Sequence, residues 1–186
     1  MVSLGLDAST TCVGYAFTED KKILDMGFID IKKEKTPKDK VQKVLEYLNN
    51  ISYIDKVTDI NIEDNLSGFA GGRTSQQVII KLAKFNAILC FMLENFEFNV
   101  HSINPMTARK QVFGKARVKG IKAKDLVKMK IEEMYNTSKW CKETKTGLWD
   151  KRNIDMYDGL VMSLFEKKAW LFPKFFVYCL KCINTN

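Results

Sequence analysis

Residues 2–31, VSLGLDASTTCVGYAFTEDKKILDMGFIDI, decide the architecture. They hold three short runs rich in β-branched and aromatic residues, VSLGLD, CVGYAFTED and ILDMGFIDI, with glycine or charge at their edges. Three consecutive strands fit, paired as an antiparallel meander. The first run is apolar and ends in a carboxylate, Asp7. Beyond the meander, residues 36–51, TPKDKVQKVLEYLNNI, place Val41, Val44, Leu45 and Leu48 at helical spacing behind a Thr36–Pro37 start. Residues 58–63, TDINIE, read as a short buried strand that again ends in a carboxylate. Residues 65–73, NLSGFAGGR, are a Gly-rich loop, and from Thr74 to Asn95 the pattern is helical and apolar almost all round. Such a helix is buried on more than one side. Residues 98–103, FNVHSI, make a fifth strand; Pro105 opens a short helix, and 122–135 and 154–168 are helical. This order predicts an α/β fold, a mixed five-stranded sheet flanked by helices. No internal repeat appears, and no linker splits the chain.

The 186 residues suit one globular domain with a sizeable core. No apolar run reaches the roughly 20 residues a bilayer span needs. The start lacks a basic region followed by a long apolar stretch, so no secretory signal is expected. Five cysteines, an odd number, fit reduced thiols in a cytoplasmic protein. The net charge is +8, which favours a polyanionic partner, nucleic acid before membrane surface. Residues 107–152 carry 14 Lys/Arg and 5 Asp/Glu, a net of +9, so the rest of the chain sums to −1. The densest part, RKQVFGKARVKGIKAKDLVKMK (109–130), reads either as a solvated lysine-rich face or as a phosphate-gripping surface.

Four acids sit where structure alone has little use for them. Asp7 and Glu63 end apolar strands, and Asp155 and Asp158 lie three apart near a helix start, on one face. Gathering such groups is costly unless a cation neutralises them. Oxygen ligands suit Mg²⁺ or Mn²⁺. Two ions roughly 3.5–4 Å apart would form the clamp used in phosphodiester hydrolysis. Adjacent strand residues face opposite ways, so only one of Glu63 and Asp64 can point into such a site; Glu63 is the choice, although sequence phase alone does not fix it.

The segments LGLDASTTCVGYAF, NIED, TARKQVFGK and NIDMYDGLVMS, in that order, resemble the RuvC-type Holliday junction resolvases of bacteria and phages, members of the ribonuclease H-like superfamily. The resemblance runs from about Val2 to Lys168, so residues 1–168 form the expected nuclease domain. Residues 169–186, AWLFPKFFVYCLKCINTN, are an aromatic tail without a counterpart. The opening motif alone is shared with sugar kinases and actin-like ATPases; the D…E…DxxD set with R-K-x-V-x-G-K between is more specific. The resemblance implies that Asp7, Glu63, Asp155 and Asp158 are metal-binding catalytic acids that use Mg²⁺. It implies a homodimer that makes paired nicks across a four-way DNA junction and leaves 5′-phosphate ends. Arg109, Lys110, Lys115 and Lys124 fall where the family contacts the DNA backbone, and Phe69 and Arg73 of the Gly-rich loop join the expected DNA contacts. Ala8 stands where many members have Pro, and Phe69 lies at a different offset from the glutamate than the family's stacking aromatic.

Three other readings stand beside this one. A ribonuclease H-like nuclease acting on branched DNA or RNA–DNA hybrids would use the same site. An actin-like or sugar-kinase ATPase needs a second phosphate loop, and GFAGGR (68–73) lacks the required acid. A non-catalytic DNA-binding protein would not need four acids. Cys179 and Cys182 form C-x-x-C, but no second pair completes a zinc site, so reduced thiols are expected. His101 is expected to be structural. The tail's aromatics are expected to pack on the domain; Pro173 and Lys174 argue against a membrane role. The second face of helix 74–95 is expected to pair with its own copy, placing two acidic sites on one side.

Overall fold

A computed structural model describes residues 1–64 and 76–166. Phe69, Arg73, the Gly-rich loop, Cys179, Cys182 and the 169–186 tail lie outside the described residues.

The predicted meander is present. Strands β1 (Val2–Ala8), β2 (Cys12–Glu19) and β3 (Lys22–Asp30) pair antiparallel in sequence order. The β2–β3 turn is two residues, Asp20 and Lys21, both with positive φ (48° and 63°). That geometry matches the right-handed strand twist and holds Glu19 opposite Lys22. Helix α1 (Pro37–Asn49) starts at a capping box in which Thr36 accepts from the Asp39 amide and Asp39 accepts from the Thr36 amide. A single 3-10 turn, Ile54–Lys56, leads into β4 (Val57–Glu63), which lies parallel to β1. Helix α2 (Gln76–Asn95) crosses to β5 (Asn99–Ile103), parallel to β4. The chain then makes α3 (Pro105–Phe113), α4 (Ala123–Met134) and α5 (Asn153–Ser163). The sheet order is β3-β2-β1-β4-β5, mixed as expected.

Alternation along the strands divides the interior into two layers. Leu4, Leu6, Val13, Phe17, Ile29, Ile60 and Ile62 face α1 and α2, where Val41, Val44, Leu48, Phe85, Leu89 and Leu93 cover them. Ala16, Met26 and Ile103 face the other way, onto α3, α4 and α5. Helix α5 is the most enclosed element, with every residue but Asp155 buried. Glycines let it lie directly on the strands. A Cβ at Gly5 would meet the Gly159 carbonyl oxygen at 2.1 Å, and one at Gly14 would meet the Asp155 carbonyl oxygen at 1.8 Å. The third member of the contact, Gly159, faces the Gly14 backbone.

One expectation needs correction. The last helix stops at Ser163, not 168, although the apolar pattern continues into Leu164 and Phe165. Tertiary donors cap it: Asn61 Nδ2 donates to the carbonyls of Met162 and Phe165, both at 3.0 Å, and Gln111 Nε2 donates to that of Glu166. Helix α2, in turn, buries a single face of Phe85, Leu89 and Leu93 among the described residues. Val78, Ile80, Ile88 and Phe91 are exposed. Its 20 residues are long and apolar enough to cross a bilayer by length and composition, which counting uninterrupted apolar residues misses because Lys81 and Lys84 divide the run. Its buried face, however, is a wall of the sheet's first layer.

Candidate active site

Asp7 and Glu63 reach the same edge of the sheet by register. Leu6 pairs with Ile62 across the parallel β1–β4 ladder, so the next residues of both strands emerge side by side. Phase then sets their direction. Leu6 and Ile62 point into the α1–α2 layer, so Asp7 and Glu63 point to the α5 face, as does Asn61 two residues before Glu63. That settles the choice between Glu63 and Asp64; the Asp64 amide instead donates to the Ile103 carbonyl at 2.8 Å. On the facing helix, Asp158 turns toward the strands. One carboxylate oxygen from each of Asp7, Glu63 and Asp158 lies within 4.8 Å of the others.

The fourth acid does not join this group. Asp155, one turn earlier on α5, is held by Lys124 Nζ at 3.2 Å. Its carboxylate also faces the Cys12 thiol, which burial, followed by the Asp155 charge, pushes well above its ordinary range. Asp155 therefore borders the trio and adds negative potential to it.

Arg109 departs from its expected role. It is buried, and its Nη2 donates to Asp158 Oδ1 at 2.8 Å. A guanidinium enclosed there does not present itself to a DNA backbone at the surface; it compensates a buried carboxylate. Its Nε is buried without an acceptor among the described residues. Lys110, Lys115 and Lys124 are exposed, as a phosphate-facing surface requires, with Lys110 on α3, Lys115 just past the α3 C-cap Gly114, and Lys124 at the start of α4.

The acids shape one another's charge. Burial, then Glu63 and Asp158, hold the Asp7 carboxyl well above the usual carboxylate range. Burial and the Asp158 charge push Glu63 up to about 7, against the opposing pull of Arg109 and Lys124. Burial also raises Asp158 despite its pairing with Arg109. Burial works against the charge of Lys124, but Asp155, joined by Asp158 and Asp7, more than offsets it and raises the ammonium. Three clustered carboxylates, two buried and one half-buried, that cannot all ionise comfortably, all hard oxygen donors, fit a divalent cation of the Mg²⁺ or Mn²⁺ kind.

Several positioning residues carry no motif. Arg152, just before α5, reaches Asp150 Oδ2 at 2.6 Å and Asp30 Oδ2 at 2.7 Å, fastening the helix start to the end of β3. Asn153 exchanges side-chain hydrogen bonds with the backbone of Lys142. Glycines inside apolar strands, at 5 and 14, were the available signal for the close helix approach. His101 Nε2 lies 3.0 Å from Asp59 Oδ1.

No family model matches the chain, and no curated protein matches its sequence. Solved structures do match its fold. The structure of Thermus thermophilus RuvC aligns with a TM-score of 0.58 at 12% identity, covering 88% of this chain and 91% of that one. The same protein in complex with a Holliday junction substrate aligns with a TM-score of 0.57 at 13% identity, covering 88% and 90%. The yeast mitochondrial Holliday junction resolvase Ydc2 aligns with a TM-score of 0.55 at 15% identity, covering 87% and 75%. The chain has the ribonuclease H-like fold of these proteins, with the mixed five-stranded sheet predicted from its sequence.

Proposed function

We propose that this protein is a metal-dependent, structure-selective endonuclease that resolves four-way DNA junctions by paired symmetric nicks in recombination, repair or phage DNA processing. The observation that carries the reading is the convergence of Asp7, Glu63 and Asp158 on one point beside a lysine-rich surface. The T. thermophilus RuvC complex with a Holliday junction substrate, a protein of the same fold, supports DNA junctions as the substrate class.

Asp7, Glu63 and Asp158 would hold Mg²⁺, with Asp155 beside them as the fourth acid and Mn²⁺ as a substitute. Divalent ions in such a site supply a water-derived nucleophile at neutral pH and stabilise charge on the leaving oxygen. The chain's own residues do the rest. Lys110, Lys115 and Lys124 bind backbone phosphates and hold the strand across the sheet edge. Lys124, tethered to Asp155, sets the strand's distance from the acids. Hydrolysis adds a water oxygen to phosphorus and breaks the bond to the 3′ oxygen, leaving a 5′-phosphate and a 3′-hydroxyl. Two nicks at a two-fold symmetric junction require two active sites, hence a homodimer. The protein acts in the cytoplasm of a bacterial cell or of a phage-infected host.

A nuclease assay tests this. A synthetic four-way junction, a plain duplex and an RNA–DNA hybrid are each incubated with Mg²⁺ or EDTA. Selective, Mg²⁺-dependent, symmetric cutting of the junction is expected. Preference for the hybrid, or equal cutting of branched forms, would assign the alternative of a nuclease without junction specificity. No cleavage of any substrate would overturn the nuclease reading.

A further inference from the structure

The site described above uses cations on one face of the sheet only. A second set stands at the same edge on the opposite face. Lys35 and Lys40, flanking the start of α1, and Lys81 on α2 line a cavity of about 340 Å³ with Thr10 and Thr11 of the β1–β2 turn, against the ring of Phe85. No acid lines it. Among the described residues, no ion pair involves any of the three lysines. The acids closest in sequence are committed elsewhere: Glu34 to Lys43 at 2.7 Å, and Asp39 to the α1 capping box. Lys40 Nζ donates to the Thr10 carbonyl, which fixes its ammonium at the turn.

Three lysine side chains around one cavity with apolar walls raise the positive potential inside it. Thr10 and Thr11 border the same cavity, and Pro37, Val78 and Phe85 form its apolar walls. The chemistry that fits is a phosphate group. The turn follows Asp7 by three residues, so the pocket opens at the end of β1 that carries the acids, with Arg109 and Lys124 on the α5 face and the three lysines on the α1–α2 face.

We infer that the Lys35–Lys40–Lys81 pocket is a second phosphate-binding subsite, which grips the nucleic-acid backbone on the far side of the cleavage point. The inference rests on the nuclease reading and adds to it the path of the bound strand. The strand is held on both faces of the sheet edge, so the phosphate at the acids is fixed from two directions.

The test compares full-length wild type, the triple variant Lys35→Ala/Lys40→Ala/Lys81→Ala, and a charge-matched control, Lys21→Ala/Lys22→Ala/Lys56→Ala, at the opposite edge of the sheet. Binding of a fluorescent four-way junction in EDTA is measured by anisotropy across a salt series, with duplex and RNA–DNA hybrid as further arms. Each lost phosphate contact removes about 0.9 from the salt slope. The triple variant is expected to lose about 1 from that slope and about tenfold or more in affinity at about 150 mM salt, well beyond the control. Affinity and slope equal to the control's would overturn the subsite. Acetic anhydride footprinting of the wild type reads the same contact without mutation: junction DNA is expected to protect Lys35, Lys40 and Lys81 several-fold more than Lys22 and Lys56. Equal modification with and without DNA would also overturn it. A wild type that binds none of the three nucleic acids would sink the nuclease reading itself, a separate outcome.

Discussion

Arg109 extends from α3 into the carboxylate cluster and donates to Asp158 across 2.8 Å, with both side chains buried. The most deeply placed cation of the basic segment thus faces a catalytic candidate. Three carboxylates in one enclosed place need positive charge, and this guanidinium supplies it within the chain. A divalent cation bound by the same acids would share Asp158 with Arg109, so metal binding and the ion pair are coupled.

Replacing Arg109 with Met should therefore destabilise the metal-free protein more than the metal-loaded one. Removing one partner of a buried pair typically costs about 3 kcal/mol or more. For a chain of this size that lowers the melting temperature by roughly 6–12 °C. Differential scanning fluorimetry in EDTA should show the loss, and added Mg²⁺ should recover most of it. An unchanged melting temperature in EDTA would mean that the pair contributes little to holding the cluster together.

The raised carboxyls of Asp7, Glu63 and Asp158 set a pH dependence with a definite sign. An acid whose folded pKa lies above its unfolded value binds more protons in the folded state between the two, so stability falls as pH rises through that window. For Glu63 the window runs from its ordinary value, 4.5, to about 7. In EDTA the melting temperature should fall between about pH 5 and pH 7 from this cluster, and Asp7→Asn should flatten the fall. Mg²⁺ affinity should move the opposite way, rising toward pH 7 as ligands lose their protons and then levelling. A Mg²⁺ affinity independent of pH across this range would rule out these carboxyls as the ligands. Asp7→Asn should also reduce cleavage about a hundredfold or more while leaving junction binding intact.

Gly14 is the tightest point between α5 and the sheet, with its missing Cβ directed at the Asp155 carbonyl. Gly14→Ala must push backbone from backbone, and its cost should reach or exceed the 1–3 kcal/mol typical of overpacking. Displacing α5 moves Asp155 and Asp158 together, so cleavage and Mg²⁺ affinity should fall along with stability. Gly27→Ala, which meets only the Tyr15 hydroxyl end, is the milder control. Equal melting temperatures for the two variants would remove the close approach as a determinant of the site.

The extent to which this site is legible in the sequence follows from what fixes each part. The strands announce themselves through local pattern, and the start of α1 through Thr36 and Pro37. Asp7 and Glu63 are readable because each ends an apolar strand, yet the phase of Glu63 comes from pairing: Leu6 against Ile62 sets it. The end of α5 is invisible locally because Asn61 and Gln111, distant in sequence, supply its last donors. Arg109 looks like any other residue of a basic run until α3 packs against α5 and buries it. Asp155 and Asp158 share a helix face, but Lys124 draws the first away while the second joins the strands.

The exposed lysines of the basic segment should behave unlike Arg109. Lys110→Ala with Lys115→Ala should weaken binding to all DNA forms and lower the salt slope by about 1–2, with little effect on stability. Anisotropy titrations at several salt concentrations give both quantities. An unchanged slope would make the segment a solvated face.

The outer face of α2 carries the prediction about assembly. Phe85, Leu89 and Leu93 seal the sheet, while Ile80 and Phe91 lie on the far side of the helix and Ile88 on its flank, with Ile80 53% and Phe91 61% exposed. Apolar side chains gathered on one face that is exposed among the described residues mark an interaction surface. A two-fold axis through it would pair the face with itself, as an isologous contact requires. It would also set two acidic sites in one particle, which paired nicking demands. Ile80→Glu with Phe91→Glu should convert a dimer to a monomer in light scattering at micromolar concentration without lowering the melting temperature of the monomer, since neither residue belongs to the core. The same variant should still bind junction DNA but nick it one strand at a time, so that single-nicked junctions accumulate. A wild type that is strictly monomeric, both free and on junction DNA, would remove the paired-nick mechanism and favour a nuclease that cuts one strand independently of the other.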